Sequence, residues 1–171
     1  MTTIVRAHSA DYALLTEIGV PSFLTAHAHS AKKEVVDAYI SEKYSLEAFK
    51  KELEDDRNIY HLIYHDGKPV GYSKIILNAA HEDIAKPNVA KLERLYLLKE
   101  YFGKHLATEL VEFNMNYAKN SWQEGMWLHV WTENSRAVAF YQKTGFKVIG
   151  AYDFKLSGDH YNPNHHMYLE F

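Results

Sequence analysis

The sequence predicts a single mixed α/β (α+β) domain that is built around one sheet and flanked by about four helices. Residues 58–64 and 70–77 have the composition of strands, and the Asp66-Gly67 pair between them is a hairpin turn signal. Residues 106–117 instead carry apolar side chains at the spacing of one helix face. Strand-like and helix-like segments alternate along the rest of the chain, which is typical of this fold class.

Composition restricts the possible functions. The chain has 171 residues, of which 47% are hydrophobic and 24% are charged, as in an ordinary globular protein. This length predicts a single domain over residues 1–171. The net charge of −3, with scattered basic residues, predicts neither a nucleic-acid nor a membrane partner. No signal peptide or membrane-spanning apolar run is visible, so we expect a cytoplasmic location. The absence of cysteine excludes disulfides, a thiolate nucleophile and a thiolate zinc site.

The first third of the chain predicts one strand and a group of helices. Residues 3–7 favour a strand and residues 10–18 a helix, which we expect to end at the Val20-Pro21 pair. Residues 22–43 predict a loop and a second helical piece. Residues 46–53 then predict a helix that is capped by Ser45.

The remaining chain predicts strands that alternate with helices. The polar residues 78–89 indicate a surface loop, and residues 127–131 a strand. A helix should follow and end at Gly145, because a helix end favours a residue that adopts positive φ. Residues 146–152 and 167–171 predict the last two strands.

Residues 91–110 are central to the functional prediction. They combine a strand, a short loop that contains Gly103, and the start of a helix. The first N–H groups of a helix have no internal partner, and the helix dipole adds positive charge there. The stretch therefore predicts a site for a phosphate-bearing cofactor, with the chemistry on the preceding strand.

Three motifs resemble the GNAT superfamily of acyl-CoA-dependent N-acyltransferases: L-E-R-L-Y-L-L-K-E-Y-F-G-K-H-L-A, W-L-H-V-W-T-E-N-S-R-A-V-A-F-Y-Q-K-T-G-F, and the hairpin I-Y-H-L-I-Y-H-D-G-K-P-V-G-Y-S-K. The sequence of the first two motifs is most similar to that of the bacterial spermidine/spermine N-acetyltransferase group. The resemblance implies a mostly antiparallel twisted sheet with a splayed parallel strand pair, and acetyl-CoA as co-substrate. Phe102 and His105 depart from the family's usual loop residues.

Two residues are candidates for catalysis. Glu93 lies in the strand beside the predicted cofactor site and is the candidate base, acting through a water molecule; the alternative is a carboxylate paired with Arg94 or Lys91. The resemblance implies the same role for Glu93, and it makes Tyr141 the candidate acid for the leaving thiolate. The alternative for Tyr141 is a core tyrosine. His129 is a second candidate for the base, or a packed histidine.

The resemblance also implies a set of cofactor-binding residues. Asn134 would cap a helix and bond the pantetheine arm, or only cap the helix. Lys143 would reach the 3′-phosphate, or would lie in solvent. The others would supply main-chain groups along the strand and the pyrophosphate loop: Leu95, Tyr96, Leu97, Phe102, Gly103, Lys104, His105, Leu106 and Ala107.

The histidine spacings predict no metal site. The pairs His27/His29, His61/His65 and His165/His166 have chelating separations, but no carboxylate or third histidine follows at a recognised metal spacing.

The predicted reaction is acetyl transfer from acetyl-CoA to a primary amine, most specifically of a polyamine such as spermidine or spermine. A polyamine needs carboxylates that hold its distal ammonium groups. Two alternatives stay open: another amine acceptor (a protein N-terminus, an amino acid or an antibiotic), or a non-catalytic acyl-CoA-binding module. A homodimer is a further expectation. The candidate carboxylates are Glu34, Asp37, Glu82, Asp83, Asp153 and Asp159, each of which has a solvated surface role as its alternative.

Overall fold

The computed structural model describes all 171 residues and contains seven strands and five α-helices. The strands are β1 (Thr2–Arg6), β2 (Ile59–His65), β3 (Lys68–Ile76), β4 (Val89–Leu97), β5 (Gly125–Trp131), β6 (Lys147–Ser157) and β7 (His160–Glu170). The helices are α1 (Tyr12–His27), α2 (Lys33–Lys43), α3 (Leu46–Leu53), α4 (Leu106–Asn120) and α5 (Ser135–Lys143). The strands form one sheet in the order β1-β2-β3-β4-β5-β7-β6.

The parallel pair β4–β5 opens the sheet at its centre. The two strands pair only from Val89 opposite Gly125 to Lys91 opposite Trp127, and every other strand pair is antiparallel. Beyond Lys91, β4 continues along β3 without a β5 partner. The mostly antiparallel sheet with one splayed parallel pair is therefore confirmed. The splay leaves backbone groups of β4 unpaired inside the molecule.

Helices cover both faces of the sheet. On one face, α1, α2 and α3 bury Leu15, Val36 and Phe49 against aromatic residues of the central strands, including Tyr60 and Tyr72. On the other face, α4 and α5 pack against the core formed with β3, β4 and β5. At about 25 cal/mol for each Å² of apolar surface, this burial on both faces is the main stabilising contribution.

The prediction that the first helix ends at Pro21 is wrong, because α1 continues to His27. Proline removes one backbone donor and disfavours helical geometry before it. Here Ile18 before the proline and Phe23 after it are both buried in the same core, and Ser22 donates to the Leu97 carbonyl oxygen at 3.3 Å. The packing on both sides offsets the lost hydrogen bond, and Pro21 itself lies on the exposed side.

The last two strands are much longer than predicted. β6 continues past residue 152 to Ser157, and β7 begins at His160 rather than at residue 167. The Gly158-Asp159 pair forms the hairpin turn, with Gly158 at φ +56. β6 is an edge strand with several exposed side chains. Its residues are therefore often polar, and the sequence did not predict the full length of the strand. None of the helices has the length and the apolar composition that crossing a membrane requires.

Candidate active site

A groove of about 700 Å³ follows the splay between β4 and β5. Its walls are the second half of β4, the loop at residues 98–105, the first turn of α4, the end of β5 and one side of α5. Phe23 of α1 and Tyr39 of α2 lie at the opposite side of the groove. The groove therefore joins a strand edge with free backbone groups to a helix N-terminus.

The loop before α4 adopts an unusual backbone conformation. Gly103 has φ +77 and His105 has φ +61, and α4 begins at Leu106 directly after them. Positive φ is uncommon for a residue with a side chain and marks a constrained backbone. Loops that turn successive N–H groups toward one point form concave anion sites. The side chain of His105 is exposed, and the Cβ position of Gly103 faces open space.

Nine of the eleven predicted cofactor-binding residues line the groove. Lys104 and Lys143 do not, and both side chains are exposed. Lys104 lies over the ring of Tyr101 at 5.1 Å. The nine residues are Leu95, Tyr96, Leu97, Phe102, Gly103, His105, Leu106, Ala107 and Asn134.

Arg136 is a groove residue that the sequence analysis missed. Its guanidinium carbon lies 3.7 Å from the centroid of the Phe102 ring, so it forms a cation–π contact beside the loop. Arg136 stands in the first turn of α5, two residues after Asn134. Its position in the first turn after the Asn134 cap was the available sequence signal. A guanidinium at this place suits recognition of a phosphate group.

Tyr141 lies on α5 with its side chain in the groove wall. Asn134 caps this helix, because its side-chain oxygen accepts a hydrogen bond from the Ala137 N–H at 3.2 Å. Tyr141 is buried between Phe140 and Phe146. Burial, and secondarily the neighbouring Tyr96, raises the pKa of the Tyr141 hydroxyl far above its usual value. The hydroxyl group therefore stays protonated at neutral pH, as a proton donor must.

Glu93 lies in the groove within a network of ion pairs. Its carboxylate contacts the Lys74 ammonium group, and it contacts that of Lys91 at 3.2 Å. Burial acts to raise the pKa of Glu93, but Lys74, Lys91 and Arg94 outweigh it and lower the pKa to about 2. Glu93 is also the extra residue on β4 where the pairing with β3 shifts register. The Glu93 carboxylate is therefore ionised at every working pH. The ion pair with Lys91, which the sequence analysis gave as an alternative role for Glu93, is present.

Glu52 of α3 extends this network, and the sequence analysis missed it. Glu52 pairs with Lys74 at 2.6 Å and with Arg94 at 3.1 Å. Arg94 also donates to the Tyr60 hydroxyl at 2.8 Å. Glu52 and Lys74 come from a helix and a strand that are far apart in sequence, so no local pattern could connect them. The charged side chains of this network all line the groove, and we call them the groove floor: Glu52, Lys74, Lys91, Glu93 and Arg94.

His129 faces the groove but is poorly suited to act as a base. Burial, followed by repulsion from His166, Lys91 and His81, lowers the pKa of His129 to about 3. A group with such a low pKa has little affinity for a proton at neutral pH. Its ring stacks on Tyr152 with the centroids 4.1 Å apart.

The six acidic residues proposed for acceptor binding do not line the groove. Glu34 and Asp159 border a separate shallow cavity beside the β6–β7 turn. Asp37 pairs with Lys33 on the surface of α2, and Asp83 lies beside His166. Glu82 and Asp153 are exposed. The charged residues that line the groove are instead Lys43, Glu52, Lys74, Lys91, Glu93, Arg94 and Arg136.

Comparisons with known proteins agree with this geometry. The sequence model described as the Acetyltransferase (GNAT) family matches residues 24–146. An uncharacterized N-acetyltransferase of Mycobacterium tuberculosis is 30% identical over 148 residues, which cover 86% of this chain and 90% of that protein. A spermidine N(1)-acetyltransferase of Thermoplasma acidophilum is 29% identical over 143 residues, covering 81% of this chain and 83% of that protein. The crystal structure of the PaiA N-acetyltransferase from Thermoplasma acidophilum in complex with coenzyme A has a TM-score of 0.80 and 23% identity, and the match covers 100% of this chain and 99% of that one.

The chain belongs to the GNAT family of acetyltransferases. It is therefore an acyl-CoA-dependent enzyme with acetyl-CoA as its co-substrate, which removes the alternative of a non-catalytic module. The groove suits this co-substrate: it has a free strand edge for the amide groups of the pantetheine arm and a concave loop at a helix N-terminus for the pyrophosphate.

Proposed function

We propose that this enzyme transfers an acetyl group from acetyl-CoA to a primary amine of a small molecule, with a polyamine such as spermidine or spermine as the first acceptor to test. The observation that carries the acetyl-transfer part is the position of a buried, protonated Tyr141 in the wall of a groove that ends at the pyrophosphate-type loop. The polyamine part is supported by the similarity to the archaeal spermidine acetyltransferase.

The chain's own residues would carry the proton transfers. The reaction forms a bond between the amine nitrogen and the acetyl carbon and breaks the carbon–sulfur bond. We assign to Tyr141 the proton that the leaving sulfur takes up. The ammonium group must lose a proton before attack, and we assign to Glu93 the orientation of a water molecule that carries this proton to solvent. A carboxylate with a pKa of about 2 is too weak to hold that proton itself, so it would orient the water and stabilise the passing charge.

The cofactor assignments follow from the groove walls. The free edge of β4 from Leu95 to Leu97 would pair with the pantetheine arm, and one of its N–H groups would lie near the thioester oxygen. The N–H groups of Gly103, His105 and Leu106 would bind the pyrophosphate. Arg136 replaces Lys143 as the preferred partner for a phosphate group, because it lies at the groove and Lys143 does not.

The charges of the groove floor favour a second class of acceptor. Lys74, Lys91 and Arg94 provide three positive charges, whereas Glu52 and Glu93 provide two negative charges. An amine that also carries a carboxylate, such as an amino acid or a peptide N-terminus, would match this balance better than a polycation.

An acceptor screen separates the two classes. Release of the coenzyme A thiol would be measured with putrescine, spermidine and spermine, and in parallel with amino acids and short acidic peptides. A polyamine that accelerates thiol release more than every carboxylate-bearing amine does supports the first acceptor class. Stimulation only by carboxylate-bearing amines supports the second class, and no stimulation by any amine contradicts the proposed acceptors as a whole.

A homodimer and a cytoplasmic location remain predictions. The oligomeric state can be measured by light scattering coupled to size-exclusion chromatography, and a mass of one chain would contradict the dimer.

A further inference from the structure

Three histidines from distant parts of the sequence meet at the edge of the groove. His81 lies in the loop at residues 77–88, His129 in β5 and His166 in β7. One ring nitrogen from each residue lies within 4.8 Å of the other two. The ring centroids of His81 and His166 are only 3.9 Å apart. We call these residues the histidine cluster. Of the three histidine pairs noted in the sequence, only His165/His166 contributes a member, His166.

Two ring nitrogens of the histidine cluster lack hydrogen-bond partners, whereas His81 Nδ1 accepts a hydrogen bond from the Asp83 N–H at 3.2 Å. His166 is 1% exposed, and its Nε2 atom is buried without a hydrogen-bond partner. The Nε2 atom of His129 is also buried and unpartnered. Burying a polar atom without a hydrogen-bond partner is unfavourable, so such atoms in a folded protein indicate a partner such as a bound ion. Two such atoms on neighbouring histidines of one cluster are the pattern expected of a ligand site.

Asp83 provides a carboxylate beside the cluster. Its Oδ2 atom lies 3.4 Å from His166 Nδ1 and 3.7 Å from His81 Nδ1. A carboxylate beside one ring nitrogen places a proton there and leaves the other nitrogen with a free lone pair. Metal-binding histidines commonly have this arrangement. In His166 the remaining nitrogen is the unpartnered Nε2 atom.

The surroundings hold the cluster in place. Trp127 packs edge-on against His81 and His166, and its Nε1 atom donates to the Ala79 carbonyl oxygen at 2.6 Å. Ile84 of the same loop is buried against Trp127. The loop that carries His81 is therefore fixed to the sheet through its own contacts, and little ordering would be required on binding.

We propose that His81, His129 and His166 bind one Zn²⁺ ion, with His129 and His166 coordinating through Nε2. Neutral imidazole suits zinc, and Zn–N bonds of about 2.0–2.1 Å in a tetrahedral site place nitrogens about 3.4 Å apart, so modest side-chain rotations would close the cluster. A water molecule would complete the four ligands, and Asp83 would hold the proton on His166 Nδ1. This proposal replaces the sequence-based expectation of no metal site, and it does not depend on the acetyl-transfer reaction.

The ion would fasten the loop at residues 77–88 to β5 and β7. His129 also lines the groove, so the ion would sit directly behind the groove wall close to the point where β4 and β5 separate. The site would therefore stabilise the β5 wall of the groove.

Metal analysis of the untagged full-length protein tests the proposal. The protein is stripped with a chelator, reloaded with ZnCl₂, dialysed, and measured by elemental mass spectrometry; isothermal titration with Zn²⁺ and with Mg²⁺ gives the affinities. We expect one zinc ion per chain, no binding of Mg²⁺, and visible absorption bands of four-coordinate Co²⁺ on cobalt substitution. Asp83→Asn should weaken zinc binding by about 10–100-fold.

Matched variants separate this site from surface histidines. His81→Ala changes a loop residue, and His129→Gln changes a partly exposed strand residue, so at least one of the two should fold, as circular dichroism would verify. Either folded variant should lose the bound zinc, whereas His29→Ala, at an exposed histidine, should retain it. Substoichiometric zinc in the wild-type protein, or equal zinc content in the His81→Ala and His29→Ala proteins, would overturn the proposal.

Discussion

Tyr141 lies both in the core and in the groove wall, so the proposed role of its hydroxyl group can be tested without disturbing the packing of its ring. The ring packs between Phe140 and Phe146, so Tyr141→Phe keeps the packing and removes only the proton donor. We expect kcat to fall by about 100-fold, because general acid catalysis contributes about 10²–10⁴-fold. The KM for acetyl-CoA should change little.

Steady-state kinetics at saturating acceptor would measure this effect. Tyr161→Phe is the matched control, since Tyr161 is half exposed on β7. A turnover number equal to that of the wild-type enzyme would remove Tyr141 from the mechanism.

Glu93 predicts a specific dependence of activity on pH. Its folded-state pKa of about 2 lies far below the working range, so its own titration gives no inflection between pH 5 and pH 9. A primary amine with a pKa near 10.4 is almost fully protonated at pH 7, at about one free amine in a thousand. Help with deprotonation therefore matters most at low pH. Glu93→Gln should lower kcat/KM by about 100-fold at pH 7 and by much less near pH 10.

The pH–rate profiles of the wild-type enzyme and the variant would be compared with the same amine. Glu54→Gln, at an exposed residue after α3, serves as the control. An equal loss at all pH values would show that Glu93 acts only through the ion pairs with Lys74 and Lys91.

Among the helices and strands, α5 allows a test of whether one residue serves both the fold and the cofactor. Asn134 caps the helix that carries Tyr141 and also lines the groove. Asn134→Ala should destabilise the protein by about 1 kcal/mol through loss of the cap. Asn134→Ser keeps a capping oxygen, so it should restore most of that stability.

The pair of variants separates the two roles of Asn134. Urea unfolding measures the cap, and calorimetry with acetyl-CoA measures the cofactor contact. If Asn134 bonds the pantetheine arm, Asn134→Ser should be stable and still bind acetyl-CoA more weakly. Wild-type affinity in Asn134→Ser would leave capping as its only role.

The predictability of each element depended on whether its cause is local. The hairpin of β2 and β3, the helix α4 and the Asn cap of α5 follow from turn residues, apolar spacing and capping chemistry, and the structure contains all three. The continuation of α1 through Pro21 depends instead on packing on both sides of the proline.

The site shows the same division. The motif residues of the loop and strand line the groove, because a strand followed directly by a helix fixes them locally. The pairing of Glu52 with Lys74 and the meeting of His81 with His166 result from the tertiary fold. No spacing along the chain connects such partners, so the sequence of one chain could not predict them.

At the scale of the whole molecule, acetyl-CoA should stabilise the folded protein by bridging the two halves of the splayed sheet. A ligand at 100 times its dissociation constant adds about 2.7 kcal/mol, which for a chain of this size raises Tm by roughly 5–10 °C. Arg136 stands over Phe102 at the phosphate end of the groove, whereas Lys143, on the same helix, points to solvent.

Thermal unfolding with two ligands would test this arrangement. Arg136→Ala should reduce the shift produced by acetyl-CoA but leave unchanged the smaller shift produced by acetyl-pantetheine, which lacks the phosphates. Lys143→Ala should behave like the wild-type protein with both ligands. If Lys143→Ala loses the acetyl-CoA shift and Arg136→Ala keeps it, the phosphate contact lies on the outer side of α5, and the direction of the cofactor in the groove must be revised.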